Sequence, residues 1–115
     1  MNEWVYNEYV NEYSHKGVDM NTNEINGLSE FFKIFSDNTR IKILSTLLEG
    51  DKCVKEICEC VNMSSSSVSH QLSTLRSLNL VKCEKLGQTV KYKISDDHIK
   101  IILEYGLEHI REGIL

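Results

Sequence analysis

The sequence contains no proline and little else that interrupts helices, with only six glycines in 115 residues. Because proline disrupts helix interiors, its absence favours a helix-rich fold, and the length suits one domain. No apolar run approaches the roughly 18–20 residues that a transmembrane helix requires. The first residues also lack the basic and apolar segments of a signal peptide. We therefore expect a cytoplasmic protein without a membrane partner.

Basic residues are in the minority, 13 against 17 acidic residues, and the formal net charge is −4. This balance argues against nucleic-acid binding, but the charges are unevenly distributed along the chain. Residues 1–30 carry one basic and six acidic side chains, a net charge of −5, whereas residues 63–93 carry five basic and one acidic, a net charge of +4. A positive segment in an acidic chain is a candidate phosphate-facing surface.

The chain divides into an N-terminal segment and one predicted domain. Residues 1–20 are acidic and aromatic, and their spacing predicts an arm or a short helix. In residues 21–115, the predicted domain, apolar residues recur every three to four positions in five segments, which predicts five helices. Polar N-cap residues mark most of their starts. The expected starts are Thr22 or Asn23, Ser36 or Asp37, about Val54, Ser64, and Ser95 or Asp96.

Between the fourth and fifth helices the pattern changes to two strands, Val81–Lys85 and Thr89–Ile94. In the second strand Val90, Tyr92 and Ile94 alternate with basic residues, which predicts a hairpin with one wet, basic face. The order helix, helix, helix–turn–helix, hairpin, helix predicts a mainly α fold with a small β-hairpin. This arrangement is the winged helix-turn-helix.

The fourth helix has a small, polar outer face opposite its apolar side, which Val68, Leu72 and Leu75 define. At about 100° per residue the outer face consists of Ser66, Ser69, His70, Ser73 and Ser77. Short hydroxyl side chains allow a helix to lie deep in the major groove, where hydroxyl and imidazole groups meet base edges or phosphates. We therefore predict that this face binds double-stranded DNA, together with Arg76 and the basic hairpin beside it.

The last helix carries four side chains of the types that bind metals, two near each end. Asp96 and His98 lie at its start, and His109 and Glu112 at its end. Two imidazoles and two carboxylates form a ligand set that suits tetrahedral zinc. At about 1.5 Å per residue the two histidines are about 16 Å apart, so one helix cannot hold one ion with both. If two such helices pair antiparallel across a twofold axis, the pairs meet and form two equal sites shared between subunits.

Several segments carry a family resemblance. They are Ser36–Ile41, Glu56–Cys60, the run SSSSVSHQLSTL at Ser64–Leu75, and Gly87-Gln88. With these segments, residues 35–112 resemble the ArsR/SmtB family of bacterial metal-sensing repressors. The resemblance implies a homodimeric repressor that is released from operator DNA when metal binds, and the four last-helix ligands match the family's zinc motif. Zn²⁺ is therefore the expected effector, with Co²⁺ or Ni²⁺ as alternatives.

The same resemblance implies which residues contact DNA. Groove-contacting positions fall on Ser65, Ser66, Ser69 and His70. The hairpin is expected to reach the DNA backbone through Lys85, Gln88 and Lys91.

Cysteine is sparse, and two of the four cysteines, Cys58 and Cys60, offer a second metal site. They match the family's Cys-x-Cys thiolates, which serve softer ions. The aspartate that often follows is Val61 here, and residues 1–20 contain no cysteine. The alternative function is a thiol-based or cadmium/arsenite-type sensor that acts through Cys58 and Cys60. We do not expect an enzyme, because four protein ligands leave no open position for water on a metal.

Overall fold

The computed structural model describes residues 5–7, 12–14 and 19–114, and five helices and two antiparallel hairpins lie within them. In chain order the elements are β1 (Val5–Asn7), β2 (Glu12–Ser14), α1 (Thr22–Ile34), α2 (Asn38–Leu48), α3 (Val54–Val61), α4 (Ser65–Ser77), β3 (Val81–Leu86), β4 (Thr89–Ile94) and α5 (Asp97–His109). A π-helical turn, Ile110–Ile114, follows α5. The predicted order of elements is confirmed from α1 to α5. None of the helices in the described ranges is long and apolar enough to cross a membrane.

The chain divides into two compact units, Met1–Ile34 and Phe35–Leu115. In the first unit β1 and β2 pair antiparallel, with Val5 opposite Ser14. The rest of the predicted arm or short helix, up to residue 18, lies outside the described residues. The boundary between residues 1–20 and a domain at 21–115 stays a prediction.

α1 begins with a reciprocal cap. Asn21 Oδ1 accepts the Glu24 N–H at 2.9 Å, and Glu24 Oε1 accepts the Asn21 N–H at 3.1 Å. The predicted cap at Thr22 or Asn23 is therefore wrong. Asn21 caps the helix because it is the residue with a glutamate three positions later, which completes the capping box.

The core of the second unit lies between α2, α3, α4, β3 and the start of α5. Its buried apolar side chains are Ile43, Leu44, Leu47, Ile57, Val68, Leu72, Leu75, Leu80, Val81 and Ile99. Asp37 caps α2 by accepting the Arg40 N–H at 3.1 Å. Ser64 caps α4 by accepting the Ser67 N–H at 3.2 Å, as predicted.

β3 and β4 form the wing, a hairpin closed by the turn Gly87-Gln88. Gly87 has a φ of 65°, a left-handed conformation that glycine adopts without steric cost. Two backbone hydrogen bonds of 2.7 and 3.0 Å pair Tyr92 of β4 with Lys52, in the loop before α3. The wing is therefore anchored to the α2–α3 loop at this point.

The wing does not have the single wet, basic face that the sequence predicts. Val90 is exposed, whereas Lys91 and Lys93 are half-buried. The side chains of β4 alternate between the two faces of the hairpin, as predicted. Val90 is nevertheless exposed, because it lies close to the turn, beyond the part of the hairpin that packs on the core. Lys91 and Lys93 lie closer to α2 and α3, so their aliphatic stems are partly covered.

Only the start of α5 packs on the core. Ile99 is buried, and Ile102 and Leu103 are half-buried. Four other large apolar side chains of α5 and of the turn after it are 44–67% exposed. They are Ile101, Tyr105, Leu107 and Ile110. α5 and its C-terminal turn therefore expose apolar side chains that the rest of the Phe35–Leu115 unit does not cover.

Candidate DNA interface and metal centre

The outer face of α4 is exposed along the whole helix, as the sequence pattern predicts. Its exposed predicted contacts are Ser65, Ser66, Ser69, His70, Ser73 and Arg76. On the opposite side Val68, Leu72 and Leu75 are fully buried. The burial of these three residues fixes the rotation of the helix about its axis, so the serine side must face outward.

A side-chain hydrogen bond ties α4 to α2. Arg40 Nε donates to Gln71 Oε1 at 3.2 Å, and both residues are half-buried. The turn between α3 and α4 contains Asn62 in a left-handed conformation with φ 56°, which asparagine tolerates better than most residues. The Arg40–Gln71 contact does not follow from the sequence, because the two residues are 31 positions apart and neither stands out by its pattern.

The three predicted DNA contacts of the wing lie at different places on the hairpin. Gln88 lies in the turn, whereas Lys85 and Lys91 lie on opposite faces, since Lys85 is paired with Val90 and Lys91 with Glu84. Lys85 and Gln88 are exposed. A duplex would therefore have to meet both faces of the wing to contact both lysines.

Lys91 is not a free cation. Its Nζ lies 2.9 Å from Oε1 of Glu56 on α3, and the same oxygen accepts the Cys53 N–H at 2.9 Å. The Cys53 N–H, and next the Lys91 ammonium group, lower the pKa of Glu56 from 4.5 to about 2. The hydrogen bond to Glu56 in turn raises the pKa of Lys91. This pair does not follow from the sequence, because its partners lie on different elements, 35 positions apart.

Asp96 and His98, the first pair of predicted metal ligands, lie together at the start of α5. Asp96 caps the helix, and its Oδ1 accepts the His98 N–H at 2.9 Å and the Ile99 N–H at 3.2 Å. The bond from Ile99 is the largest cause of the lowered pKa of Asp96. His98 Nδ1 lies 3.4 Å from the same oxygen, and both side chains are exposed. The carboxylate is therefore kept ionised beside an accessible imidazole.

His109 and Glu112, the second pair, lie at the other end. His109 is the last residue of α5, and Glu112 lies in the π-helical turn that follows, before Gly113 reverses φ to 82°. Both side chains are exposed. Among residues 19–113 and the other described segments, no three His, Cys, Asp or Glu side chains of one chain are grouped so that they could hold a metal. Each end of α5 therefore presents one exposed imidazole and one exposed carboxylate.

The start of α5 is linked by short hydrogen bonds to the end of α4. The Ser95 hydroxyl donates to the Asn79 carbonyl at 2.6 Å, and the Ser95 N–H donates to the Leu80 carbonyl at 3.0 Å. The Leu80 N–H in turn donates to the carbonyl of Leu75, inside α4, at 2.9 Å. These bonds connect Ser95, the residue before Asp96, to the C-terminal end of α4.

The cysteines do not form one cluster. Cys58 is half-buried and Cys60 exposed, as expected for residues about 200° apart on a helix. Cys53 caps α3 and Cys83 lies on β3, and both are half-buried. All four are free thiols, and no described His, Asp or Glu completes a metal site with them.

Comparison with known proteins decides the family. Residues 37–82 match the model of the family described as bacterial regulatory protein, arsR family. The chain is 37% identical over 86 residues to a cadmium resistance transcriptional regulatory protein CadC homolog of Staphylococcus aureus, which covers 74% of this chain and 71% of the relative. It is 32% identical over 94 residues to a transcriptional repressor SmtB homolog of Synechocystis sp., covering 82% and 71%. The chain belongs to the ArsR family.

A solved structure supports the same assignment. The AntR antimony-specific transcriptional repressor superposes on this ArsR-family chain with a TM-score of 0.76 at 27% identity, covering 85% of this chain and 89% of AntR. The predicted winged helix-turn-helix fold is confirmed. ArsR-family proteins are DNA-binding transcriptional regulators, and this chain is one of them rather than an enzyme.

Proposed function

We propose that this ArsR-family protein is a zinc-responsive repressor that binds operator DNA as a homodimer and leaves it when metal binds. The observation that carries the proposal is the division of the four ligands into two exposed pairs at opposite ends of α5. Each pair has one imidazole and one carboxylate. Either pair is half of a tetrahedral zinc shell and needs the complementary pair to complete it.

The partner subunit supplies the complementary pair. Two α5 helices that pair antiparallel bring the start of one helix to the end of the other, and a twofold axis makes the two sites equal. The exposed apolar side chains of α5, including Ile101 and Tyr105, support this pairing because a partner helix would cover them. A bound zinc ion would act here as a cross-link between subunits.

The DNA interface consists of α4 and the wing of each subunit. The proposed contacts are Ser65, Ser66, Ser69, His70, Ser73, Arg76, Lys85 and Gln88. Lys91 is a latent contact, because its ammonium group is paired with Glu56. A twofold dimer presents two recognition helices, so the operator is an imperfect palindrome with half-sites about one helical turn apart. The protein acts where its operator lies, in the cytoplasm.

Metal weakens DNA binding only if it binds more tightly to a dimer that fits DNA poorly. The hydrogen bonds from Ser95 to Asn79 and Leu80 provide the connection, because they link the residue before Asp96 to the end of α4. When the partner's ligands draw Asp96 and His98 toward the shared site, the recognition helices change their separation or tilt.

The donor set favours zinc over softer ions. The relatives' names mention cadmium and antimony, and soft ions of that kind prefer thiolates. The α5 ligands are imidazole nitrogens and carboxylate oxygens, which suit Zn²⁺ and also Co²⁺ or Ni²⁺.

Mixing two single-site variants tests the shared site. His98→Ala and His109→Ala homodimers should each keep apo DNA affinity and lose tight zinc binding. After subunit exchange, a heterodimer lacks both histidines in one site and keeps both in the other, so roughly one quarter of all sites should bind zinc tightly again. Zinc is titrated against a chromophoric chelator, and DNA release is followed in parallel by fluorescence anisotropy. If the mixture regains no tight site, the ligands do not come from two subunits.

A second candidate is a thiol-based or cadmium/arsenite-type sensor, which the exposure of Cys60 beside a half-buried Cys58 favours. Cobalt absorption distinguishes it from the zinc site, because thiolate ligation gives intense near-ultraviolet charge transfer and a His/carboxylate shell does not. We expect weak absorption from the wild type, and an unchanged zinc response from a Cys58→Ser/Cys60→Ser protein. A double variant that binds DNA and ignores zinc would make the thiolates the sensor.

A further inference from the structure

The ion pair between Glu56 and Lys91 joins the first helix of the helix-turn-helix to the wing. Lys91 Nζ lies 2.9 Å from Glu56 Oε1, and the two side chains are 32% and 46% exposed. The Cys53 N–H bonds to the same oxygen and holds the carboxylate at the start of α3. The helix cap thus fixes the position of the acceptor.

Both residues lie on elements that approach DNA in a helix-turn-helix protein. The first helix of the motif, here α3, crosses the DNA backbone. Lys91 is a predicted phosphate contact of the wing, so Glu56 and a DNA phosphate require the same ammonium group. Exposed ion pairs are weak, so phosphate and carboxylate compete for Lys91. While the carboxylate holds it, the wing has one phosphate contact fewer.

We propose that Glu56 is a built-in competitor of DNA phosphate for Lys91, which lowers the affinity of the wing for DNA. The proposal rests on the DNA interface described above, but it does not depend on the metal response. While Lys91 stays with Glu56, it releases no counterion from DNA and adds nothing to the salt dependence of binding. Glu56 acts through Lys91, as a positioning residue.

The test is the Glu56→Gln protein, because the amide oxygen still accepts the Cys53 N–H and keeps the cap while the competing charge is removed. The probe is a fluorescent duplex selected from a random library by the wild-type protein, and binding is measured without metal, in chelator, between 0.05 and 0.5 M salt. The freed Lys91 should make the slope of log K against log[salt] steeper by about 0.9. If the affinities extrapolate to the same value at 1 M, the variant binds about eightfold more tightly at 0.1 M.

Two controls separate this competition from a general charge effect. Glu59→Gln removes the same charge from the same helix, and among the described residues Glu59 has no ion-pair partner within 4 Å. It should leave the slope unchanged. Glu56→Gln/Lys91→Met should return to the wild-type slope, because the cation that gained the phosphate is gone. Lys91→Met alone should also match the wild type.

Three results would overturn the proposal. The first is an unchanged slope in Glu56→Gln, and the second is a steeper slope that persists in Glu56→Gln/Lys91→Met. The third is a slope reduced by about 0.9 in Lys91→Met alone, which would mean that Lys91 already contacts phosphate beside Glu56. A Ser66→Glu protein tests the interface itself, since a negative charge on the groove-facing side of α4 should abolish binding. If Ser66→Glu fails to bind while Glu56→Gln behaves as the wild type, only the inference about Glu56 is wrong.

Discussion

At the scale of single residues, Glu56 shows how one carboxylate connects local structure with function. Its Oε1 completes the cap of α3 through the Cys53 N–H and also pairs with Lys91. Both contacts favour the ionised form, which is why its pKa falls to about 2. The same carboxylate that stabilises the start of α3 therefore also forms an ion pair with a lysine of the wing.

The lowered pKa predicts how stability responds to acid. Because Glu56 titrates lower in the folded chain than its ordinary value of 4.5, its stabilising effect is complete above that value and is lost as the pH falls toward about 2. Urea unfolding of Glu56→Gln should show a shallower decline of the free energy of unfolding across this interval than the wild type. Carboxyl NMR titration gives the pKa directly, and a Glu56 pKa near 4.5 would contradict the two contacts. In Lys91→Met the pKa should rise only in part, because the Cys53 N–H is the larger cause.

At the scale of elements, local signals could be predicted and long-range contacts could not. Ser64 is the predicted cap of its helix, and Asp37 and Asp96 are each one of two predicted alternatives. Each accepts an N–H three positions later in the chain. The cap of α1 was placed wrongly by the pattern. It is Asn21, four positions before the first apolar residue of the helix, Ile25, whereas the pattern predicted Thr22 or Asn23. The buried and exposed sides of α4 follow from helical period alone.

Contacts between elements depend on how the elements pack. The pairs Arg40–Gln71 and Glu56–Lys91 join residues 31 and 35 positions apart, and no periodicity of the sequence marks them. The backbone pairing of Tyr92 with Lys52 is likewise a contact between residues far apart in the sequence. For this reason the sequence predicts which side chains of the wing are basic, and the packed structure is needed to find that one of them is already paired.

At the scale of the whole molecule, neither the sequence nor a single chain brings the four proposed metal ligands together. The spacing of His98 and His109 predicts two separate pairs, and the continuous α5 helix keeps them at its two ends. Tyr105 lies between the two histidines in sequence and is 67% exposed, the largest exposure among the large apolar side chains whose burial the structure describes. The proposed dimer accounts for both features at once, since the partner's α5 covers the apolar surface and completes the ligand set.

Tyr105→Glu tests this dimer without disturbing the fold of the chain. A negative charge on the proposed helix–helix contact should dissociate the dimer, whereas the single chain should stay folded because the side chain is exposed. Sedimentation equilibrium should then report a species near 13.3 kDa in place of one twice as large, with an unchanged circular dichroism spectrum. Lys100→Glu, which changes an exposed residue of the same helix, is the matched control and should remain dimeric.

The Tyr105→Glu monomer should lose tight zinc binding and most of its DNA affinity together, since each site needs two chains and the operator needs two recognition helices. A Tyr105→Glu protein that remains dimeric and still responds to zinc would place the subunit interface, and with it the shared metal site, on another surface.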